Sequence, residues 1–478
     1  MCGIVGFTSK HSVIYDLILG LTALQHRGQD AAGVVTFQEH FRMRKALGLV
    51  SDVFQERHLP RLEGKVGIGH VRYTTQGTND VQNAQPFYAN YPFGLAMVHN
   101  GNITNFAEIR SNLYNEHHIL PDTSNDLELI LYTLASELCT KDLRNLSPSA
   151  IFEAVAATQQ KLKGAYAVIC VIANHGLLAF MDPHGIRPLL LGKHTDDEGN
   201  LSYAFASESI CFDYLEYETM FDLGAGEAVF IDQNLNIHRH NCHVQQKAFC
   251  VFEHIYFARE DAIMQGRLVA AERVKMGRLL ARKVQEAGLQ PDVVIDVPTS
   301  GYFAASGLAE ALGVPYRRGF VKNNHVGRSF ISPTQKEREG IVKKKLNPIK
   351  AVVEGKRVAV VDDSIVRGTT SKRIVRLLRN AGATEIYFIS AAPPITNPCV
   401  YGIDMAISTE LIAAVKDHQA ICDYIEADAL IYQSLADLQE LFSEMPACYA
   451  CFTGKYPVEG SQQLLKAVEA ERMGGQMP

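Results

Sequence analysis

A cysteine stands second in the chain, in Met1-Cys2-Gly3. A small second residue favours removal of the initiator methionine, which would leave Cys2 with a free α-amine. An α-amine titrates near about 8 and a thiol near about 8.5. One residue would then carry both a nucleophile and its own base. Arg72, at the end of the apolar run in HVRYTTQG, can hold a carboxylate with its guanidinium fork. Asn100-Gly101, in HNGNITN, offers a side-chain amide and a backbone N–H to a tetrahedral oxyanion. Asp126, in SNDLE, can hold an ammonium group. Each has a plainer reading by itself: Asp126 as a helix N-cap, Asn100-Gly101 as a tight turn. Together they supply a nucleophile, an oxyanion hole and partners for both charged groups of an amino acid. That set suits hydrolysis of the glutamine amide.

A second constellation lies in VAVVDDSIVRGTTSKRIVRLL. Val358 to Val361 read as a buried strand, with Asp362 and Asp363 at its carboxyl end, where open α/β sheets bind ligands. Ser364, Arg367, Gly368, Thr369 and Thr370 then form a loop that runs into a helix, a phosphate cradle of N–H groups and hydroxyls. The two acids suit ribose hydroxyls or Mg²⁺ rather than phosphate. A third set is cysteine-based. Cys448 and Cys451 form a C-x-x-C pair, half of a metal site. Cys250 and Cys399 are the candidates to complete it. Four thiolates can hold Zn²⁺ or a [4Fe–4S] cluster, and spacing does not choose between them. Cys139, Cys170, Cys211, Cys242 and Cys422 have unremarkable surroundings.

The elements that must position these groups change character near residue 240. Before it, MCGIVGF, VGIGHVRY, GLAMVHNG and EAVFIDQNLNIH read as strands, and GAYAVICVIANHGLLAFMD reads as a hairpin turning at Asn174-His175-Gly176. Ile14, Leu17, Ile18, Leu21 and Leu24 share a helical face that Gly28 ends, and SNDLELILYTLASEL is a second amphipathic helix. This is an antiparallel α+β layout over residues 2–240. After it, DVVIDVPTSG, SGLAEALGV, the Asp362-Asp363 segment and EIYFISAAPP alternate strand and helix, the pattern of an α/β parallel sheet, over 250–478. No Gly/Ser linker separates the halves, so they are expected to pack together.

Composition bounds the function. The chain has 478 residues, room for two to four domains of about 100–200 residues each. It is 47% hydrophobic and 21% charged, which excludes disorder. With 46 Lys+Arg against 52 Asp+Glu, the net charge of −6 argues against nucleic-acid binding through bulk positive charge. Apolar runs reach about eight residues, as in YAVICVIA, far short of the roughly 18–20 a membrane span needs. MCGIVGFTSKH lacks the basic and long apolar segments of a signal peptide. A cytoplasmic protein follows, with no membrane and no nucleic acid among its partners.

CGIVGF, LQHRGQDAAG, HVRYTTQG, AQPF, HNGNITN and DPHGIRPL together resemble the glutaminase domain of N-terminal-nucleophile amidotransferases, antiparallel sheets sandwiched by helices. By that resemblance Cys2 attacks the amide through a glutamyl thioester, Asn100 and Gly101 hold the oxyanion, and Arg72 and Asp126 bind glutamine. VVDDSIVRGTT and VPTSG resemble the phosphoribosyltransferases. That likeness implies Mg²⁺ held by Ser300, Asp362 and Asp363, and 5-phosphoribosyl 1-pyrophosphate (PRPP) held by the loop. The stretch KNNHVGRSFISPTQKEREGIVKKKLNP resembles the hood over PRPP, with Lys322, Arg328, Arg338 and Lys343 to Lys345. The two halves together resemble the family of glutamine PRPP amidotransferases. The contexts of Cys250, Cys399, Cys448 and Cys451 resemble its iron–sulfur form, which implies one [4Fe–4S] cluster per subunit. The family further implies purine biosynthesis, inhibition by AMP, GMP or ADP, and a homodimer or homotetramer. A sugar-phosphate aminator would not need adjacent acids before the phosphate loop. A PRPP-sensing regulator would need a DNA-binding element.

Overall fold

The computed structural model describes residues 1–73, 80–323, 346–403 and 407–465. Two antiparallel sheets form the first half. The seven-stranded sheet runs in the order Glu218–Asp222, Leu190–Thr195, Leu201–Ala206, Gly3–Ser9, Val66–Arg72, Ala31–Phe37 and Phe41–Leu47. The six-stranded sheet runs Ile237–Asn241, Glu227–Asp232, Gly176–Met181, Gly164–Ile172, Leu95–Ile103 and Phe87–Ala89. Strand side chains alternate between faces. The inner faces meet in a core that includes Ile4, Val35, Ile68, Val98, Ile169 and Phe205. Helix Ile14–Ala23 covers the outer face of the first sheet. Asp126–Cys139 and Pro148–Lys161 cover the second. The sequence expectation of an antiparallel α+β half is met, with three local corrections. The first helix ends at Ala23 rather than at Gly28. EAVFIDQNLNIH is a hairpin of two strands, Glu227–Asp232 and Ile237–Asn241, not one strand. The cap of the Asp126–Cys139 helix is Asn125, whose side chain accepts from the Leu127 N–H.

The second half holds a four-stranded parallel sheet in the order Val293–Asp296, Arg357–Asp362, Glu385–Ser390, Ala429–Tyr432. Helices Val269–Glu286 and Tyr302–Leu312 pack on one face, Thr369–Asn380 and His418–Ile425 on the other. The chain's C-terminal part returns to the junction, where Phe249–Cys250 pairs in parallel with Ala447–Cys448. One hydrophobic core joins the halves: Val5 and Phe7 share it with Val251, Phe252, Ile395, Tyr401 and Phe452. The halves are docked, as the missing linker implied.

Candidate functional site

Cys2 precedes the central strand Gly3–Ser9, whose Gly3 pairs with Val71. This register brings the nucleophile beside the end of Val66–Arg72, where its Sγ lies 3.9 Å from the Tyr73 carbonyl. Across the sheets, the Cys2 N–H donates to Asn100 Oδ1 at 3.3 Å. That bond orients the amide, leaving Asn100 Nδ2 buried with no hydrogen-bond partner among the described residues. A buried orphan donor costs roughly 1–3 kcal/mol unless a ligand accepts from it. Gly101 follows at φ +148°, and a Cβ there would lie 1.9 Å from the Ala165 carbonyl oxygen. Asn100 and Gly101 lie within the strand Leu95–Ile103, paired with Ala167 and Tyr166, rather than in the tight turn the sequence suggested, and only glycine lets that strand sit this close to its neighbour.

Asp126, the first helical residue, is freed by Asn125 from the capping role. Its Oδ2 accepts from His99 Nε2 at 3.2 Å and from the Ile103 N–H at 3.1 Å. Burial would raise its pKa, but His99 and the backbone N–H outweigh burial and hold it below the usual carboxylate range. Gln85 sets the geometry of His99: its Oε1 accepts from the His99 N–H at 2.8 Å and its Nε2 stands 2.8 Å from Nδ1. Nδ1 must accept there, so the proton on Nε2 faces Asp126. Sequence reasoning left His99 unassigned and quoted Gln85 only as part of AQPF. Arg72 is 6% exposed at the strand end. The motif HVRYTTQG continues into residues 74–79, outside the described residues.

Met1 is present and buried. Its Sδ stands 2.7 Å from Arg187 Nη1, and burial pushes its α-amine down to about 5. Arg27, a residue of the quoted LQHRGQD to which no role was assigned, donates from Nε to the Cys2 carbonyl at 2.9 Å. It also pairs with Glu208 and Glu253, all three side chains fully buried.

In the second half, Asp362 and Asp363 lie at the carboxyl end of the strand Arg357–Asp362 as expected. Asp363 accepts from Ser300 Oγ at 2.5 Å and from Ser364 Oγ at 2.6 Å. Burial and the neighbouring acid push the Asp362 carboxyl far up. Gly368 caps the helix Thr369–Asn380 in the left-handed region at φ +74°. Thr369 and Thr370 open that helix toward a cavity of about 910 Å³. The cavity is also lined by Lys322, Ser300, Asp362 and Asp363 and, from the first half, by Met1, His26, Arg27 and Tyr73. Arg367 does not stand free; its guanidinium pairs with Glu410. Arg328, Arg338 and Lys343 to Lys345 fall outside the described residues.

The four cysteines come together at the junction. Cys250 and Cys448 are register partners. Burial, then the other three thiols, holds Cys451 far above its ordinary value, and burial holds Cys250 at about 11. The buried Arg187 guanidinium faces Cys250 and Cys399. Among the described residues, the one group of possible ligands within 4.8 Å of one another is His11, Asp196 and Glu198, on the surface.

A glutamine amidotransferase domain model matches residues 70–213, and a phosphoribosyl transferase domain model matches 266–399. The fold is that of a glutamine amidotransferase joined to a phosphoribosyltransferase. The amidophosphoribosyltransferase of Haemophilus influenzae is 46% identical over 470 residues, covering 95% of this chain and 92% of the relative. That of Methanocaldococcus jannaschii is 41% identical over 478 residues, covering 96% and 98%. A solved glutamine PRPP amidotransferase from B. subtilis, complexed with ADP and GMP, superposes with a TM-score of 0.85 at 37% identity, covering 96% of this chain and 98% of that one. The chain belongs to the amidophosphoribosyltransferase family, enzymes of glutamine-dependent PRPP amination in purine biosynthesis.

Proposed function

We propose that this chain makes 5-phosphoribosylamine, glutamate and pyrophosphate from PRPP, glutamine and water in two half-reactions served by one cavity. The cavity carries the reading: the same space touches Met1 and Tyr73 beside the thiol and Ser364 and Val366 to Ser371 of the phosphate loop. Removal of Met1 frees the Cys2 amine, which takes the thiol proton as sulfur attacks the glutamine amide carbon. Asn100 Nδ2 and the Gly101 N–H receive the oxyanion. The ammonium formed on Cys2 returns its proton to the leaving nitrogen, and water later releases glutamate from the thioester. Arg72 and Asp126 hold the substrate's carboxylate and ammonium. Ammonia then crosses the cavity and attacks the ribose anomeric carbon as pyrophosphate leaves. The loop Ser364, Arg367, Gly368, Thr369 and Thr370 holds the 5-phosphate, Lys322 faces the polyanion from the cavity wall, and Arg328, outside the described residues, is assigned to PRPP by the family resemblance. Stray ammonia would be protonated, so glutaminase action should depend on PRPP.

Ser300, Asp362 and Asp363 form an all-oxygen donor set that fits Mg²⁺, which neutralises charge on the departing pyrophosphate when bound. The thiols of Cys250, Cys399, Cys448 and Cys451, gathered at the junction, are a donor set that fits a [4Fe–4S] cluster, the reading that the resemblance of their contexts supports. Inhibition by AMP, GMP or ADP is supported by the ADP and GMP of the B. subtilis structure, and a homodimer or homotetramer by the family. No described helix is long and apolar enough to cross a membrane, in keeping with a cytoplasmic enzyme. The test is Cys2→Ala: glutamine-dependent synthesis is lost while synthesis from added ammonia persists. Loss of both would reject separate half-sites. Intact mass of the purified protein should lack Met1.

A further inference from the structure

Arg27 and Glu253 meet across the junction with neither side chain exposed. Glu253 opens the π-helical turn Glu253–Phe257 of the second half. It takes both terminal nitrogens of the guanidinium, Nη2 to Oε1 at 2.9 Å and Nη1 to Oε2 at 3.0 Å. The remaining Nε of the same planar group reaches the Cys2 carbonyl. A guanidinium is rigid, so a carboxylate that fixes one edge fixes where the other edge points. Glu208 also accepts from Nη1, so Glu253 and Glu208 together set the hydrogen bond at the nucleophile, and Glu253 is the one supplied by the second half.

The other side of the turn is tied to the phosphoribosyl site. Arg273, 4% exposed on helix Val269–Glu286, donates from Nε to the His254 carbonyl at 2.9 Å and from Nη2 to the Ala258 carbonyl at 2.8 Å. It thus clamps the turn at both ends. The same arginine lines the cavity with Asp362 and Asp363, and among the charges acting on it that of Asp363 is the strongest. Single π turns occur often at functional sites.

We propose that the turn 253–258 is the positioning relay between the two half-sites, linking Asp363 through Arg273 and Glu253 to Arg27 and the Cys2 carbonyl. PRPP arriving at the acids alters the charge that faces Arg273. Arg273 resets the turn, and Glu253 and Arg27 bring the thiol into line. The relay rests on the two-site reading above. Glu253 is a positioning residue and touches no substrate.

The test compares wild type with Glu253→Gln in three measurements. These are glutamate formation with and without PRPP, synthesis from added ammonia, and labelling of Cys2 by iodoacetamide with and without PRPP. The wild type should show PRPP stimulation in the first and third; a wild type without it would reject the two-site reading itself. For Glu253→Gln the stimulation should fall by about tenfold or more, within the range of ordinary coupling between sites. Its Cys2 labelling should no longer respond to PRPP, and its ammonia-dependent synthesis should stay within about twofold. Unchanged stimulation overturns the relay, as does an equal loss of the ammonia-dependent rate, which would mark a structural role. Should Glu253→Gln not fold, Arg273→Lys probes the other end. It keeps the charge but loses the two-carbonyl clamp, and its ratio of stimulated to unstimulated glutaminase should fall likewise; an unchanged ratio overturns the relay.

Discussion

Asn100 illustrates how one side chain divides two duties. Its oxygen is spent on the Cys2 N–H, and its nitrogen is held buried with nothing to donate to. Asn100→Ala removes the oxyanion donor together with the acceptor of the Cys2 N–H, so glutaminase kcat should drop by at least about 10²–10³-fold. Synthesis from added ammonia should not change, and a parallel fall of both rates in steady-state assays would refute the assignment. Glu208 is a stability matter at the same scale. Burial alone would raise its pKa, yet His26 and Arg27 hold it at about 2 against an ordinary 4.5. A depressed acid stabilises the fold above its unfolded pKa. The contribution, about 3 kcal/mol for a shift of this size, is complete above pH 4.5 and is lost as pH falls toward 2. Melting temperatures across that window should decline more steeply for wild type than for Glu208→Gln; equal slopes would contradict it.

At the scale of elements, the phosphate loop depends on a strand that stops and a helix that starts. The strand delivers Asp362 and Asp363 at its carboxyl end, and Gly368 turns the chain into the helix Thr369–Asn380. A Cβ on Gly368 would sit 2.6 Å from Ile412 Cδ1 in a left-handed backbone. Gly368→Ala should raise the KM for PRPP by about tenfold, roughly 1.4 kcal/mol of lost binding, with the ammonia-dependent assay as readout. An unchanged KM would mean the loop does not hold the phosphate. The helix Asp126–Cys139 teaches a related lesson. Sequence reading weighed Asp126 as the N-cap, but Asn125 takes that role and the acid turns to His99 and Ile103.

At the scale of the whole molecule, the junction is where function concentrates. The segment after Cys399 lies on the proposed oxyanion strand, Leu95–Ile103. Asn102 Nδ2 donates to the Val400 carbonyl at 2.9 Å, a Cβ on Gly402 would stand 3.0 Å from the Gly101 oxygen, and Arg187 donates to the Tyr401 carbonyl. Asn102→Ala should therefore lower glutamine-dependent synthesis more than the ammonia-dependent rate, since it loosens the cover over one site alone. Equal effects in paired assays would disprove that. Iron and inorganic sulfide should be found in equal amounts in protein purified without oxygen, with visible absorption near 400 nm, about where such clusters absorb. Stoichiometric zinc without sulfide would reject the cluster.

Residue order alone was enough for the two-domain architecture, the strand-ending acids, the Gly368 turn and the candidate nucleophile. These are local features, in which hydrophobic period, turn chemistry and motif spacing act within a few residues. Tertiary structure alone decided which buried charges meet. Arg27 and Glu253 stand 226 positions apart, and Asn102 and Val400 stand 298 apart. Such partners leave no periodic signal, because a buried ion pair is selected by the junction that excludes water from it rather than by its chain neighbours. The shared cavity, the orphan donor of Asn100 and the clamped turn are products of that docking.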